Sequence, residues 1–229
     1  YTIRDQITKL YRENGYVLSR AILPPQKISN GNVKFSIIEG YLNNITVEGD
    51  IQGDRDIIDG YVAKIKAAAR PLNSADLERY LLLMNDLHGA SANAVLKPSS
   101  AGVGAADLAI VFGHDYVDGL VGIDNSGTKF VGEHLLSGQL DFNSVLGLSE
   151  QLSLRTIHDI GFEEIAFGEV NYRHPLGYEG TVLELTYGRT GTEPGSTLTP
   201  LAIEGDTEIA QVELTHPFLR SRRENFTGR

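Results

Sequence analysis

The chain has 229 residues, 41% hydrophobic and 22% charged, with 25 Gly and 8 Pro, a folded composition long enough for one or two domains of roughly 150 residues. Thirty acidic against twenty basic residues leave a net charge of −10, which argues against nucleic acid as a partner. With no Cys, disulfides, iron–sulfur clusters, cysteine–zinc sites and a thiol nucleophile are excluded; no run reaches the roughly 18 apolar residues of a transmembrane helix, which leaves a transmembrane β-barrel open. Tyr1 is not Met, no signal-peptide pattern precedes it, and the opening residues read as helix, so the chain is expected to be a fragment of a longer protein.

The first half mixes helices and strands. Ile3, Ile7, Leu10 and Tyr11 fall at helical spacing, with Gly15 as a stop. Residues 17–23 read as a strand ended by Pro24 and Pro25. Asn30, Gly31 and Asn32 signal a turn, residues 33–39 a second strand, and residues 45–48 a third, closed by Gly49. Ile57, Ile58, Tyr61, Val62 and Ile65 predict an amphipathic helix broken by Pro71. Asn73 is placed to cap the next helix, with Asp76 in its first turn and Leu77, Tyr80, Leu81 and Met84 on one face; Gly89 marks a stop. Strands follow near 92–97 and 106–112. Residues 42–113 thus read β-α-α-β-β, and 1–41 read α-β-β, the same unit without its first strand and helix.

The second half has no helical pattern and carries most of the charge excess: residues 116–229 hold 8 basic and 17 acidic residues, against 12 and 13 in residues 1–115. About six strands with period-two alternation are expected. Leu140 and Phe142 alternate with Gln139 and Asp141, Leu183 and Leu185 with Glu184, and Val212 and Leu214 with Gln211 and Glu213. Period two alone does not choose between a transmembrane barrel with a wet lumen and a soluble sandwich or lipocalin-like barrel.

Four stretches carry a resemblance. Residues 34–49, from Lys34 through Glu39 and Gly40 to Gly49, resemble the junction of two POTRA domains. Asp124, Asn125, Ser126 and Gly127, then Gly132, Asn143, Leu146 and Gly147, resemble an opening barrel hairpin. Tyr172, Arg173, His174, Pro175, Leu176 and Gly177 resemble a strand end with its periplasmic turn, and Leu214, Thr215, His216, Pro217, Phe218, Leu219 and Arg220 resemble the next. In this order and spacing the chain resembles the hemolysin secretion/activation protein family, the ShlB/FhaC/HecB type. The resemblance implies α+β POTRA domains (β-α-α-β-β) followed by all-β antiparallel strands of a transmembrane β-barrel: 1–41 the C-terminal part of a first POTRA domain, 42–115 a second, and 116–229 the N-terminal strands of an incomplete barrel. It further implies a two-partner secretion translocase in the outer membrane of a Gram-negative bacterium. Its POTRA domains would lie in the periplasm and capture the extended secretion domain of a secreted β-helical partner. Outer-membrane lipid would surround the barrel, and no cofactor or small-molecule substrate is implied. The family's Val-Arg-Gly-Tyr/Phe lumen motif has no counterpart before Arg229. The alternatives are an outer-membrane insertase of the same superfamily, or a soluble β-domain with a peptide-binding module.

The six histidines, His88, His114, His134, His158, His174 and His216, include no local ligand pair, so no metal site is expected. Glu163 and Glu164 read as solvated acids, Ser149 and Ser153 lack a nucleophile motif, and Gly102, Val103 and Gly104 lack the Lys and helix of a phosphate loop. Arg220, Arg222 and Arg223 read either as a charged turn or as a cluster near lipid headgroups. No catalytic, cofactor-binding or metal residue is expected, and no enzyme activity. A three-stranded sheet with helices on one face leaves an edge that can add an extended chain, and residues 91–97 are expected to form it. Substrate-peptide contacts are therefore assigned to Leu77, Tyr80, Leu81 and Met84, whose stripe is mostly core with only its margin lining a groove, and to Ser91, Asn93, Val95 and Lys97. Gln139, Asp141, Glu184, Gln211 and Glu213 are expected to face the lumen, with Leu140, Phe142, Leu183, Leu185, Val212 and Leu214 facing outward.

Overall fold

The spacing of apolar residues near the start forms helix α1 (Thr2–Glu13) in the computed structural model, which describes residues 2–28, 31–49, 51 and 55–229. Strands β1 (Arg20–Ile22) and β2 (Ser36–Ile38) pair antiparallel beside it, and Thr8 Oγ1 on the helix accepts from the Ala21 amide at 3.0 Å. These strands are shorter than expected. Turn hydrogen bonds from the Val17 and Ser19 amides to the Gly15 and Tyr16 carbonyls occupy the start of the first stretch, and Pro24 ends it. In the second, the Gln26 carboxamide takes both backbone groups of Lys34 at 2.8 Å, where a strand partner would otherwise bond. Asn30 of the expected turn lies outside the described residues.

A β-α-α-β-β unit follows: β3 (Tyr41–Gly49), α2 (Arg55–Ala67), α3 (Ser74–Asn85), β4 (Ala90–Pro98) and β5 (Ala105–His114). The sheet order is β3-β5-β4, with β3 parallel and β4 antiparallel to the central β5. Asn73 caps α3, its Oδ1 accepting from the Ala75 amide at 2.9 Å. The apolar stripe of α2 (Ile57, Ile58, Tyr61, Ile65) and the α3 residues Leu83 and Met84 pack on Ala106, Leu108, Ile110 and Phe112, which alternate along one face of β5. This is the core of the first half. β3 is nine residues long rather than four because its pairing with β5 carries through the polar Asn43 and Asn44, with an irregularity between Leu42 and Asn44.

The remaining strands form one antiparallel meander: β6 (Val117–Asp124), β7 (Leu135–Asn143), β8 (Gln151–Asp159), β9 (Ile165–Leu176), β10 (Thr181–Thr192), β11 (Gly205–Arg220) and β12 (Asn225–Gly228), hydrogen-bonded in chain order. Seven strands are described rather than about six; the extra one is the short β12. The sheet is not closed, with β6 and β12 at its edges. A short 3₁₀ turn, Ser196–Leu201, lies between β10 and β11. Strands of nine to sixteen residues from β7 to β11 reach the roughly 9–11 residues that cross a bilayer.

The registers sort the side chains. Directly opposed residues of antiparallel strands share a face. One row, Val117, Phe142, Leu152, Tyr172, Leu185 and Val212, is apolar or aromatic throughout. The row one residue away, Asp118, Asp141, Ser153, Asn171, Thr186 and Gln211, is polar throughout. The apolar face is largely uncovered: Val121 is 77% exposed and Val212 74%.

Candidate functional site

β4 is an outer strand, and its free side borders a groove of about 340 Å³ under α3, lined by Leu77, Glu78, Leu81, Asn85, Ala92, Ala94 and Arg222 among others. The parity of the pairing decides which backbone groups face it. The Asp115 amide donates to the Gly89 carbonyl at 2.8 Å and the Ser99 amide to the Ala105 carbonyl at 3.2 Å. Odd-numbered residues of β4 therefore hydrogen-bond to β5, and even-numbered residues turn their N–H and C=O outward. Even-numbered side chains face the helices, as buried Ala92 does opposite Phe112; Ser91, Asn93, Val95 and Lys97 alternate onto the other face of the sheet. Of the eight residues assigned to peptide capture, Leu77 and Leu81 border the groove and Asn93 adjoins it with its side chain on the far face of the sheet, while Tyr80 and Met84 are buried in the core. The α3 stripe thus divides, its centre packed and its margin open.

The registers bring Gln139, Asp141, Glu184, Gln211 and Glu213 onto one face of the large sheet, with Glu184 directly opposite Glu213. Arg173 lies 3.0 Å from Glu184, Arg229 lies 3.4 Å from Glu213, and Asn171 donates to both Glu184 and Thr186 at 2.7 Å. Charges of both signs with short polar side chains make a wettable surface around these residues, with Leu120, Ile157, Phe167 and Ile209 interspersed on the same face. Leu140, Phe142, Leu183, Leu185, Val212 and Leu214 lie on the opposite face.

Sequence reasoning missed a third feature, the joint between the β-α-α-β-β unit and the strand ends. Glu179, in the turn between β9 and β10, meets Lys64 Nζ at 2.6 Å and Arg79 at 3.6 Å, and accepts weakly from the Tyr80 hydroxyl. Arg79 also donates to the carbonyls of Glu179 (3.3 Å) and Pro217 (3.1 Å). Arg220 forks onto Asp86 with two hydrogen bonds of 2.7 Å, and the Arg222 amide donates to Glu78 at 2.7 Å. Arg220 therefore serves a protein contact rather than lipid headgroups. The surfaces meet closely: a Cβ on Gly60 would fall 2.1 Å from the Tyr178 ring, and one on Gly180, at φ +83°, 2.4 Å from Leu83.

Electrostatics follow this geometry. Burial pushes the Glu179 carboxyl upward, but the Lys64 hydrogen bond and charge, helped by Arg79, outweigh it and hold the group below its ordinary value. Lys64 is raised in return by its hydrogen bond to Glu179. Burial and the Glu179 charge raise Tyr80. His88, between α3 and β4, is lowered by burial and by the positive charge of Arg173.

Residues 1–40 match the family model "POTRA domain, ShlB-type", and residues 113–228 match "Haemolysin secretion/activation protein ShlB/FhaC/HecB". The heme/hemopexin transporter protein HuxB of Haemophilus influenzae (strain 86-028NP) is 24% identical over 220 residues, covering 96% of this chain and 39% of its own length. The outer membrane transporter CdiB of Escherichia coli O6:K15:H31 is 32% identical over 192 residues, covering 81% of this chain and 31% of its own. Among solved structures, CdiB from Escherichia coli superposes with a TM-score of 0.71 at 26% identity, over 96% of this chain and 41% of that one. BamA from Haemophilus ducreyi, at 14% identity and a TM-score of 0.55, shares the fold. The chain thus spans well under half the length of these relatives, and by the match over residues 113–228 it belongs to the haemolysin secretion/activation protein family, ShlB/FhaC/HecB.

Proposed function

We propose that the chain is the capture region and first barrel strands of an outer-membrane protein translocase of two-partner secretion, in a Gram-negative bacterium. In this reading residues 1–41 are the C-terminal part of a first POTRA domain, 42–115 a second, and 116–229 the opening strands of the barrel. The POTRA domains lie in the periplasm and take up an extended segment of a secreted β-helical partner. The polar sheet face lines the conduit, and Leu140, Phe142, Leu183, Leu185, Val212 and Leu214 meet lipid. No catalytic residue or cofactor is needed.

The observation that carries the reading is the pair of adjacent rows across six strands, one wholly polar and one apolar or aromatic, the apolar one exposed at Val117, Leu185 and Val212 and half-buried between. A soluble sandwich buries its apolar face against a second sheet; here nothing among the described residues covers it. The curated relatives are named as transporters, and the open β4 edge with its groove supplies a place for an extended chain. The test is photo-crosslinking from Leu81, Gln211 and Val212 in the complete gene product while the polypeptide encoded beside it is exported. Crosslinks to that polypeptide are expected from Leu81 and Gln211 and not from Val212. Equal crosslinking from Gln211 and Val212, or none from Leu81, would overturn the assignment.

A further inference from the structure

We infer that the Asn85 side chain is a displaceable stand-in for a neighbouring strand, which stops strand addition at Ala92 and sets the register at which an extended peptide docks on β4. The inference rests on the peptide-capture reading of that edge and adds which backbone atoms the peptide meets.

The outward backbone groups of β4 belong to Ala90, whose amide donates to the Leu87 carbonyl at 3.1 Å, and to Ala92, Ala94, Leu96 and Pro98. At Ala92 both are taken by one carboxamide: Asn85 Oδ1 accepts from the Ala92 amide and Asn85 Nδ2 donates to the Ala92 carbonyl, each at 2.9 Å. A paired residue on an adjacent antiparallel strand makes the same two bonds. Asn85 is steadied from its own helix by a 2.7 Å bond from Nδ2 to the Leu81 carbonyl. The residue is nevertheless exposed, so a competing strand can reach it. At the other end Pro98 has no N–H to offer. Between these two stops, the N–H and C=O of Ala94 and Leu96 have no partner among the described residues. They lie about 7 Å apart along the strand.

Between the stops the edge therefore offers four hydrogen-bonding groups, with the Pro98 carbonyl a fifth at its end, beside the apolar margin of Leu77 and Leu81. An edge so trimmed resists indiscriminate strand addition. It also holds an extended segment weakly enough to pass it on, which a transporter requires. The occupant that fits is a short extended segment whose alternate side chains, turned toward Leu77 and Leu81, are apolar. To run further past Ala92, the segment must replace the two Asn85 bonds with its own.

The experiment uses the whole chain in detergent micelles, with acetyl-(Thr-Val)4-amide as probe and its alternately N-methylated analogue as control. Amide hydrogen exchange is read by NMR. Without peptide, the Ala92 amide is expected to be protected and those of Ala94 and Leu96 to exchange freely; the probe protects the latter two and the N-methylated analogue does not. In Asn85→Ala, Ala92 loses protection, regains it when the probe is added, and the probe binds at least about fivefold more tightly, the worth of two added backbone bonds. Asn85→Asp keeps the acceptor for the Ala92 amide but frees its carbonyl, and tightens binding about twofold. It carries the test if Asn85→Ala loses protection at Leu108 and Ile110. Probe affinity unchanged in the variants, with Ala94 and Leu96 still protected by the probe, would overturn the role of Asn85 and leave capture standing. No protection of Ala94 and Leu96 in any form would overturn capture at this edge itself.

Discussion

Lysine at Leu185 tests directly which way the large sheet faces. The side chains sharing its face along β10 are Thr181, Leu183, Leu185, Tyr187 and Arg189, so Leu185 is the centre of an apolar triplet bounded by polar residues. From Thr181 to Arg189 is eight residues; at about 3.4 Å each and a tilt of about 40° they rise about 21 Å along the membrane normal, close to the roughly 25 Å apolar band of such barrels. Leu185 then sits near the midplane, where lysine costs about 2–4 kcal/mol, a roughly 30- to 1,000-fold loss in the ratio of folded to unfolded protein. Glu184→Lys is the control, one residue away on the other face. It loses the partly exposed ion pair with Arg173 at 3.0 Å and sets two cations opposite each other but gains attraction to Glu213 on its other side, so it should cost only about 1 kcal/mol. Both variants of the complete gene product would be unfolded by denaturant from phosphatidylcholine vesicles. Equal losses, or a neutral lysine at Leu185, would refute the lipid-facing assignment.

Three further outcomes are expected. Residues 42–113, expressed alone, should be soluble and unfold cooperatively, and Met84→Ala, at a fully buried position, should destabilise them by about 2–5 kcal/mol; a random-coil circular dichroism spectrum would count against an autonomous unit. Acid should loosen the joint. His88 and Glu179 are both held below their ordinary values of 6.5 and 4.5, so each stabilises fully above that value and loses its contribution as pH falls through the lower folded one. Spin labels on the exposed Asp59 and Glu224 should show a distance distribution that widens below pH 6.5 and again below pH 4.5, the second step disappearing in Glu179→Gln; a distribution unchanged to pH 4 would contradict this. Finally, open edge groups in hydrocarbon cost several kcal/mol each, so in membranes β6 must pair with a strand outside the sheet described. Val121→Cys should form a disulfide with a cysteine on such a strand or on a second copy, and a 116–229 fragment that conducts ions as a monomer would argue otherwise.

What was legible in the sequence was local and periodic. The α2 and α3 stripes, the Asn73 cap and the alternation of Leu183, Leu185 and Glu184 depend on residues a few positions apart, and the elements they predict are those observed. The joint was not legible, because Lys64 and Arg79 meet Glu179 across roughly a hundred residues of chain and an ion pair leaves no periodic trace. Arg220 stands out as part of a basic cluster, but nothing in the sequence around Asp86, 134 residues away, marks it as the partner. The outward parity of β4 was likewise hidden: whether Ala94 or Val95 turns its N–H to the groove depends on register with β5, which the strand's own sequence does not carry. The same limit explains β1, cut to three residues by turn bonds from Val17 and Ser19.

The joint also bears on how a captured segment would leave the groove in the proposed translocase. The connection from β5 to β6 is only Asp115 and Tyr116, and both are pinned: the Asp115 amide donates to Gly89 at 2.8 Å, Asn143 Nδ2 donates to the Asp115 carbonyl at 2.9 Å, and the Asn143 amide to the Tyr116 carbonyl at 2.8 Å. Glu179 supplies a second attachment, at the β9–β10 turn, and Arg220 with Arg222 a third, at the end of β11. Three attachments on three separate strand ends restrain rotation as well as translation, so the β4 edge keeps one orientation relative to the sheet. Arg222, which lines the groove, lies just past β11, and on that strand Glu213 of the polar face stands nine residues before it. Nine residues of extended strand are at most about 30 Å, which roughly nine or ten residues of an extended chain span. A segment leaving the groove beside Arg222 therefore reaches the polar face with roughly ten further residues and without any movement of the unit, and the short, weak edge is the part that must let go.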